Sequence, residues 1–492
     1  MTLGNVSDKA IVPFVYALFF TSGFAALLYQ VIWQRVLAVF SGADVYSVTI
    51  IVAAFMAGLG CGSLVGGYVA DRVNVWQRIM VFALAELAIA LFAFASLWLY
   101  YDFLYLRLDY LAHSPVVLAT VLFASLLVPT FLMGMSLPLL ARTLTLRVEG
   151  AAGRIGSLYA FNTLGAAAGA FFTTWMLIRS LGFEATVYLG AALNLFAAVG
   201  AILVAPYFLG NRTLPEEASN RKTDPSRAAT DSSMFPVPVW LAIYGLSGFV
   251  ALSLEIVWFR LLGVMLKSTA FTFGNLLAIF LAGLAVGTFG GIKWAQRSRR
   301  PALVFLALQA GIPIYAGASL LLLALSLDNL SVMGPLWRYL GGYEPLDIGR
   351  GLSALRHSLS APHQFSLGAG NEAVQFLALY VVVPLALIGP PTLMMGLSFP
   401  FLQRVVQSDV AFLGRRVGWL QAANIFGSML GAILTGWILL RFLGTSGTIK
   451  ALLLPGAFFL FLVINARRDT RAVPNLAAGG AATLAVLLLA WL

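Results

Sequence analysis

The chain has 492 residues, of which 61% are hydrophobic and 10% charged, and a formal net charge of +11. A soluble domain carries roughly 25% charged residues, so this composition excludes one and defines a polytopic membrane protein. Basic residues gather in the cytoplasmic loops of such proteins, which accounts for the positive charge without a nucleic-acid partner. The one cysteine, Cys61, lies in an apolar segment, so one chain forms neither a disulfide framework nor a CxxC metal site.

The N-terminal MTLGNVSDKA carries a single lysine, and the apolar run after it is too long for a secretory signal and has no small-residue cleavage site. It is expected to be a retained first span. Taking roughly 20 apolar residues per crossing, spans are expected near 11–32, 46–69, 79–100, 115–140, 155–178 and 184–207. Six more are expected near 238–262, 270–292, 302–326, 374–402, 417–440 and 447–465, and a thirteenth near 474–492. With the N-terminus in the cytoplasm, the loops holding Arg72/Arg78, Arg142/Arg147/Arg154, Lys293/Arg297/Arg299/Arg300 and Arg404/Arg415/Arg416 all fall inside, and the C-terminus falls outside. The polar, proline-containing stretch 208–236 reads as a cytoplasmic linker. The insertion 328–373 lies on the outer side, and its aromatic and glycine content predicts a packed loop with short helices.

The two sets of spans are copies of one another. SGFAALLYQVIWQRVLAVF from Ser22 recurs as SGFVALSLEIVWFRLLGVM from Ser247, and Gly58, Gly62 and Gly66 match Gly283, Gly287 and Gly291 in the same register. PTFLMGMSLPLLART from Pro129 recurs as PTLMMGLSFPFLQRV from Pro391, followed by the matches Gly156/Gly418, Asn162/Asn424, Trp175/Trp437 and Gly182/Gly444. This is an internal duplication. It divides the chain into a first six-helix repeat (1–207), the linker (208–236), a second repeat (237–468) and an extra C-terminal helix (469–492). An even number of spans per repeat gives both the same orientation, which is the architecture of the major facilitator superfamily. The loop GGYVADR, ending in Asp71 and Arg72, looks like that superfamily's G-x-x-x-D-R signature; the second repeat has GGIKWAQR there.

Together, SGFAALLYQVIWQRVL, AAFMAGLGCGSLVGGYVADR, PTFLMGMSLPLL and YAFNTLGAAAGA resemble the membrane region of the bacterial fused major-facilitator/spermidine-synthase family. The resemblance implies the bacterial cytoplasmic membrane and an amine as solute. The chain departs from that family in lacking an aminopropyltransferase domain. Its longest non-membrane segment is about 45 residues, below the roughly 50–200 of a domain. GAGNEA at 368–373 follows no strand, so no Rossmann-type cofactor loop and no cofactor are expected, and the chain is not read as an enzyme.

Intramembrane ionisable groups are functional candidates by default. Glu86 and Glu255 are the acids expected well inside spans, and their repeat partners are amides: Gln309 for Glu86 and Gln30 for Glu255. Two carboxylates facing a central cavity suit a diamine, a polyamine or a proton relay. The alternative is a buried pair between Glu255 and Arg35 or Arg260 that fixes the repeats together. Trp33 and Trp258 read as interfacial tryptophans beside snorkelling Arg35 and Arg260, with anion binding or gating as the other role for these arginines. Asn162 and Asn424 suit interhelical hydrogen bonds or solute contact. Pro129/Pro138 and Pro390/Pro391/Pro400 point either to interrupted fourth and tenth spans or to kinks that serve packing alone. His113, His357 and His363 have no zinc spacing, and Met133, Met135, Met394 and Met395 read as core filling, so no metal is expected. The leading reading is a secondary transporter of a small cationic metabolite such as a polyamine or related amine. The alternative is a non-transporting subunit or assembly scaffold that docks protein partners through 328–373 and 469–492 in an envelope or electron-transfer complex. A membrane enzyme ranks last, because the spans contain no nucleophile–base set.

Overall fold

The computed structural model describes residues 8–41, 45–105, 115–210, 234–329, 339–342, 344, 346–360 and 372–468. The first half forms α1 (Asp8–Ser41), α2 (Val45–Arg72), α3 (Val75–Leu97), α4 (Pro115–Leu144), α5 (Ala151–Phe172) and α6 (Ile178–Gly210). The second forms α7 (Val237–Leu266), α8 (Thr269–Arg297), α9 (Pro301–Asn329), a short α10 (Ile348–Ser360), α11 (Val383–Val406), α12 (Leu413–Ile433) and α13 (Gly444–Arg468). No strand occurs among the described residues. Every helix but α10 lies in an apolar stretch of spanning length, and the longest stretch, Val148–Phe208, is divided at Gly182. The described residues therefore supply twelve spans. The expected span at 474–492, nearly all of the linker 208–236, His113, His363 and much of 328–373 lie outside the described residues.

The duplication is visible in backbone detail. Gly182 (φ 77°), at the kink inside α6, and Gly444 (φ 67°), at the start of α13, occupy the left-handed region at matched corners. Only glycine adopts it without steric cost. Just before these corners the helix widens by a π-turn in both halves, over Thr173–Leu177 and Leu434–Leu439.

Of the two readings of the prolines, interruption is not found: α4 runs through Pro129 and Pro138, and α11 through Pro390, Pro391 and Pro400. A proline within a helix leaves the carbonyl four residues earlier without its N–H, and inside a membrane that oxygen needs another donor. Neighbouring helices supply it. The Gly134 carbonyl, freed by Pro138, accepts from Ser63 Oγ of α2 at 3.1 Å, and the Gly396 carbonyl, freed by Pro400, accepts from the matched Thr288 Oγ1 of α8 at 3.2 Å. The Ala386 carbonyl, freed by Pro390, accepts from Tyr315 Oη of α9 at 3.0 Å.

Those bonds require close helix contact, which the matched glycines permit. A Cβ on Gly62 would sit 1.9 Å from the Phe131 carbonyl oxygen, and one on Gly287 would sit 2.3 Å from that of Leu393. Between helices in lipid such packing replaces the hydrophobic drive available in water. Gly62→Leu is therefore expected to abolish the monodisperse peak in detergent size-exclusion chromatography. A wild-type profile would contradict the backbone-to-backbone packing of α2 on α4.

The halves meet mainly through α2 against α12 and α5 against α8. From the insertion, α10 packs on the six-residue helix Glu372–Leu377, with Gly351 against the Phe376 ring. Lys267, at the end of α7, donates from Nζ to the carbonyls of Tyr339, Gly342 and Glu344 at 2.5, 2.9 and 3.3 Å. The described part of 328–373 is thus a packed element with a short helix, as its composition suggests.

Candidate functional site

Eight helices, four from each half (α1, α2, α4, α5 and α7, α8, α11, α12), enclose a cavity of about 260 Å³. Its wall is mostly aliphatic and aromatic, with Tyr159 and Tyr244 among the lining residues. Glu255 lines it, as does the matched Gln30; they are 7% and 5% exposed. Among the described residues Glu255 is the one charged residue of the lining, and no arginine, lysine or histidine lines it. Among the described residues no group of the chain hydrogen-bonds or ion-pairs with its carboxylate. An acid so placed has its acceptor oxygens available to whatever enters.

Glu86 is placed differently. It is fully buried and is not among the residues lining the cavity. Ser22 of α1 donates to its Oε1 at 2.6 Å, Asn194 of α6 donates to its Oε2 at 2.6 Å, and Tyr29 Oη donates to Asn194 Oδ1 at 2.7 Å. The expectation of two carboxylates facing the cavity is corrected to one, because this network draws Glu86 into the seam of α1, α3 and α6. Gln309 is held alike in the second half: Ser247 Oγ donates to its Oε1 at 2.8 Å, and its Nε2 donates to Ser398 Oγ at 2.9 Å.

Asn162 and Asn424 line the cavity while donating from Nδ2 to the carbonyls of Phe19 and Tyr244, at 3.0 and 3.1 Å. They tie α5 to α1 and α12 to α7. Neither Arg35 nor Arg260 lines the cavity or pairs with Glu255. Arg260 follows Glu255 by roughly 140° around the helix; it is exposed and donates to the Leu440 carbonyl at 3.4 Å. The interfacial reading of Trp33 and Trp258 is corrected as well. Both are fully buried, Trp33 stacking on Tyr29 at 5.0 Å and donating from Nε1 to Ser96 Oγ at 3.1 Å. No cluster of metal-ligating side chains occurs among the described residues.

At the end carrying the basic loops, the halves are joined through Asp71, the last acid of α2. Its side chain is 2% exposed. Oδ1 accepts the backbone N–H of Gly414 and Oδ2 that of Arg415, both at 2.9 Å, so a carboxylate from one half caps the first turn of α12 in the other. A negative charge there also meets the positive end of the helix dipole. The guanidinium groups of Arg415 and Arg142 lie 3.4 and 3.6 Å away. The matched position in α8 is Gln296, which lies beside Gly153 at the start of α5, and Arg404, matched to Arg142, donates to the carbonyls of Ala295 and Ser298. The two symmetric contacts thus differ in charge.

Sequence reasoning missed the Ser22–Glu86–Asn194–Tyr29 network and the cap on α12. Ser22 and Ser247 stand at the head of the repeated block, which marks them as paired positions without disclosing their partners. Asn194 carries no repeat signal.

No family model matches the sequence, and no curated protein matches it. The fold does match solved structures. The chain is similar to the human organic anion transporter MFSD10 (TM-score 0.55, 14% identity, covering 93% of this chain and 100% of that one). It is likewise similar to the proton:xylose symporter XylE (TM-score 0.52, 12% identity, 93% and 95%) and to the E. coli fucose:proton symporter FucP (0.50, 13%, 95% and 100%). The molecule is an all-helical, multi-pass membrane protein. Its fold is that of major facilitator superfamily transporters.

Proposed function

We propose that the chain is a secondary transporter that binds a small organic solute of single positive charge at Glu255. The two six-helix halves rock about the cavity between them. The observation that carries this reading is one carboxylate in a cavity where, among the described residues, it has no partner and no cationic side chain beside it. A cation is drawn to that carboxylate. A polyamine needs a second acid within reach, and Glu86 is tied away from the cavity, so a monocation fits better than the diamine or polyamine implied by the sequence resemblance. The volume lies just under the roughly 300–1,000 Å³ of ligand pockets, which favours a small metabolite. The structural neighbours include an organic anion transporter and two sugar symporters, so the solute class rests on the lining of this cavity. The basic residues at one end support the cytoplasmic membrane with that end inside.

A ligand that binds only the folded state stabilises it by about 2.7 kcal/mol at a hundred times its Kd. Thermal unfolding of the detergent-purified chain with monoamines, quaternary ammonium ions, putrescine, spermidine, sugars and organic anions is therefore expected to shift upward for a monovalent cation. A shift with a sugar or an anion and with no cation contradicts the proposal.

A further inference from the structure

Glu86 is used by no part of the cavity reading, yet it stands one residue away from the cavity wall. Ser22 both lines the cavity and hydrogen-bonds Glu86 Oε1 at 2.6 Å. From this geometry we infer a proton-binding site at Glu86, separate from the solute site and filled from the cavity through the Ser22 hydroxyl.

Three observations carry it. First, the environment of Glu86 is neutral. The groups facing it are Ser22 and the Tyr29 phenol from α1 and Asn194 from α6, and no arginine, lysine or histidine of the described residues pairs with it. An isolated carboxylate buried without a counter-charge is costly, and uptake of a proton removes the cost. Second, the fold accepts a neutral group there, since Gln309 takes the matched position and bonds to Ser247 as Glu86 does to Ser22. The amide cannot titrate, so one half can hold a proton at this site and the other cannot. Third, Ser22 Oγ can either donate to Oε1 or accept from a carboxylic O–H, since a hydroxyl hydrogen rotates to suit its partners. Proton uptake follows as one balanced exchange. A hydronium ion in the cavity gives its proton to Ser22 Oγ while the original Ser22 hydroxyl proton passes to Glu86 Oε1. The products are water, the serine hydroxyl and a neutral carboxylic acid. Release is the reverse.

The test uses the full chain in lipid vesicles with no solute present, so it reads independently of what Glu255 binds. Infrared difference spectra are recorded across a pH titration, and the carbonyl stretch of protonated carboxylic acids is followed in wild type, Glu86→Gln, Glu255→Gln and Ser22→Ala. The site requires a titrating carbonyl band that is lost in Glu86→Gln and kept in Glu255→Gln. In Ser22→Ala the band is kept, with a shifted frequency and slowed hydrogen–deuterium exchange. Glu86→Gln is expected to fold because the second half carries glutamine there, and Ser22→Ala tests the route without touching the acid. An unchanged band in Glu86→Gln overturns the site, and unchanged exchange in Ser22→Ala overturns the route. Loss of the band on replacing choline by sodium in the buffer overturns the assignment to a proton and points to a metal cation.

Discussion

In Glu255→Gln, saturable binding of a monovalent cation is expected to fall by at least about a hundredfold while the unfolding temperature of the solute-free protein holds or rises. Breaking a buried charge pair from one side costs about 3–5 kcal/mol, and each 1.4 kcal/mol is about tenfold in affinity. The protein without solute loses nothing comparable, since the Glu255 carboxylate has no partner among the described residues and its neutral replacement avoids the desolvation of a charge. The repeat offers a control in the opposite sense. Gln30→Glu adds a second acid to the same cavity from the matched helix, and it is expected to move the preference from monovalent amines toward diamines. Thermal unfolding with the two amine classes reads both variants. Glu255→Gln with wild-type affinity for the same cation would remove the acid from the binding site.

Asp71→Asn is expected to open the molecule at the basic-loop end. Hydrogen bonds to a charged group contribute about 1.5–3 kcal/mol. Asp71 makes two to the backbone of α12 and stands beside two guanidinium groups, with almost no exposure to water that would weaken them. The amide keeps one acceptor, loses the charge and turns a donor toward backbone N–H groups. A change of that size is worth about ten- to a hundredfold in the balance between closed and open states. Spin labels at Asn74→Cys and Ala411→Cys, on either side of the contact in a Cys61→Ser background, measure it by double electron–electron resonance. A longer-distance population that grows in Asp71→Asn is the expected result, and an unchanged distribution would show that other contacts hold this end. Gln296→Ala at the matched contact carries no charge and is expected to move the distribution far less.

The first twelve spans, the duplication and the paired positions were legible because each depends on short-range pattern: about 20 apolar residues per crossing, and identities held in register. The same patterns misled where the outcome depends on a neighbouring helix. Prolines in α4 and α11 left break and kink equally open, and the donors that keep these helices continuous, Ser63, Thr288 and Tyr315, lie on other spans far away in sequence. Trp33 looked interfacial by residue type, whereas Tyr29 and Ser96 bury it. For the candidate site the sequence offered Glu86 and Glu255 and their amide counterparts. It did not distinguish Glu255, whose face of α7 meets the cavity, from Glu86, whose face of α3 meets α1 and α6. One turn of a helix decides between those fates, and repeat alignment is blind to it when the partner is an unpaired residue such as Asn194.

The most direct test of the transport reading is uptake into proteoliposomes under an imposed inside-negative potential, with a radiolabelled monoamine, a quaternary ammonium ion, putrescine, spermidine and xylose run in parallel for wild type and Glu255→Gln. The account predicts saturable accumulation of a monovalent cation by wild type and its loss in the variant, with little uptake of spermidine or sugar by either. Accumulation of spermidine or xylose in preference to every monocation, or no uptake of any of them by folded and correctly inserted protein, would contradict it.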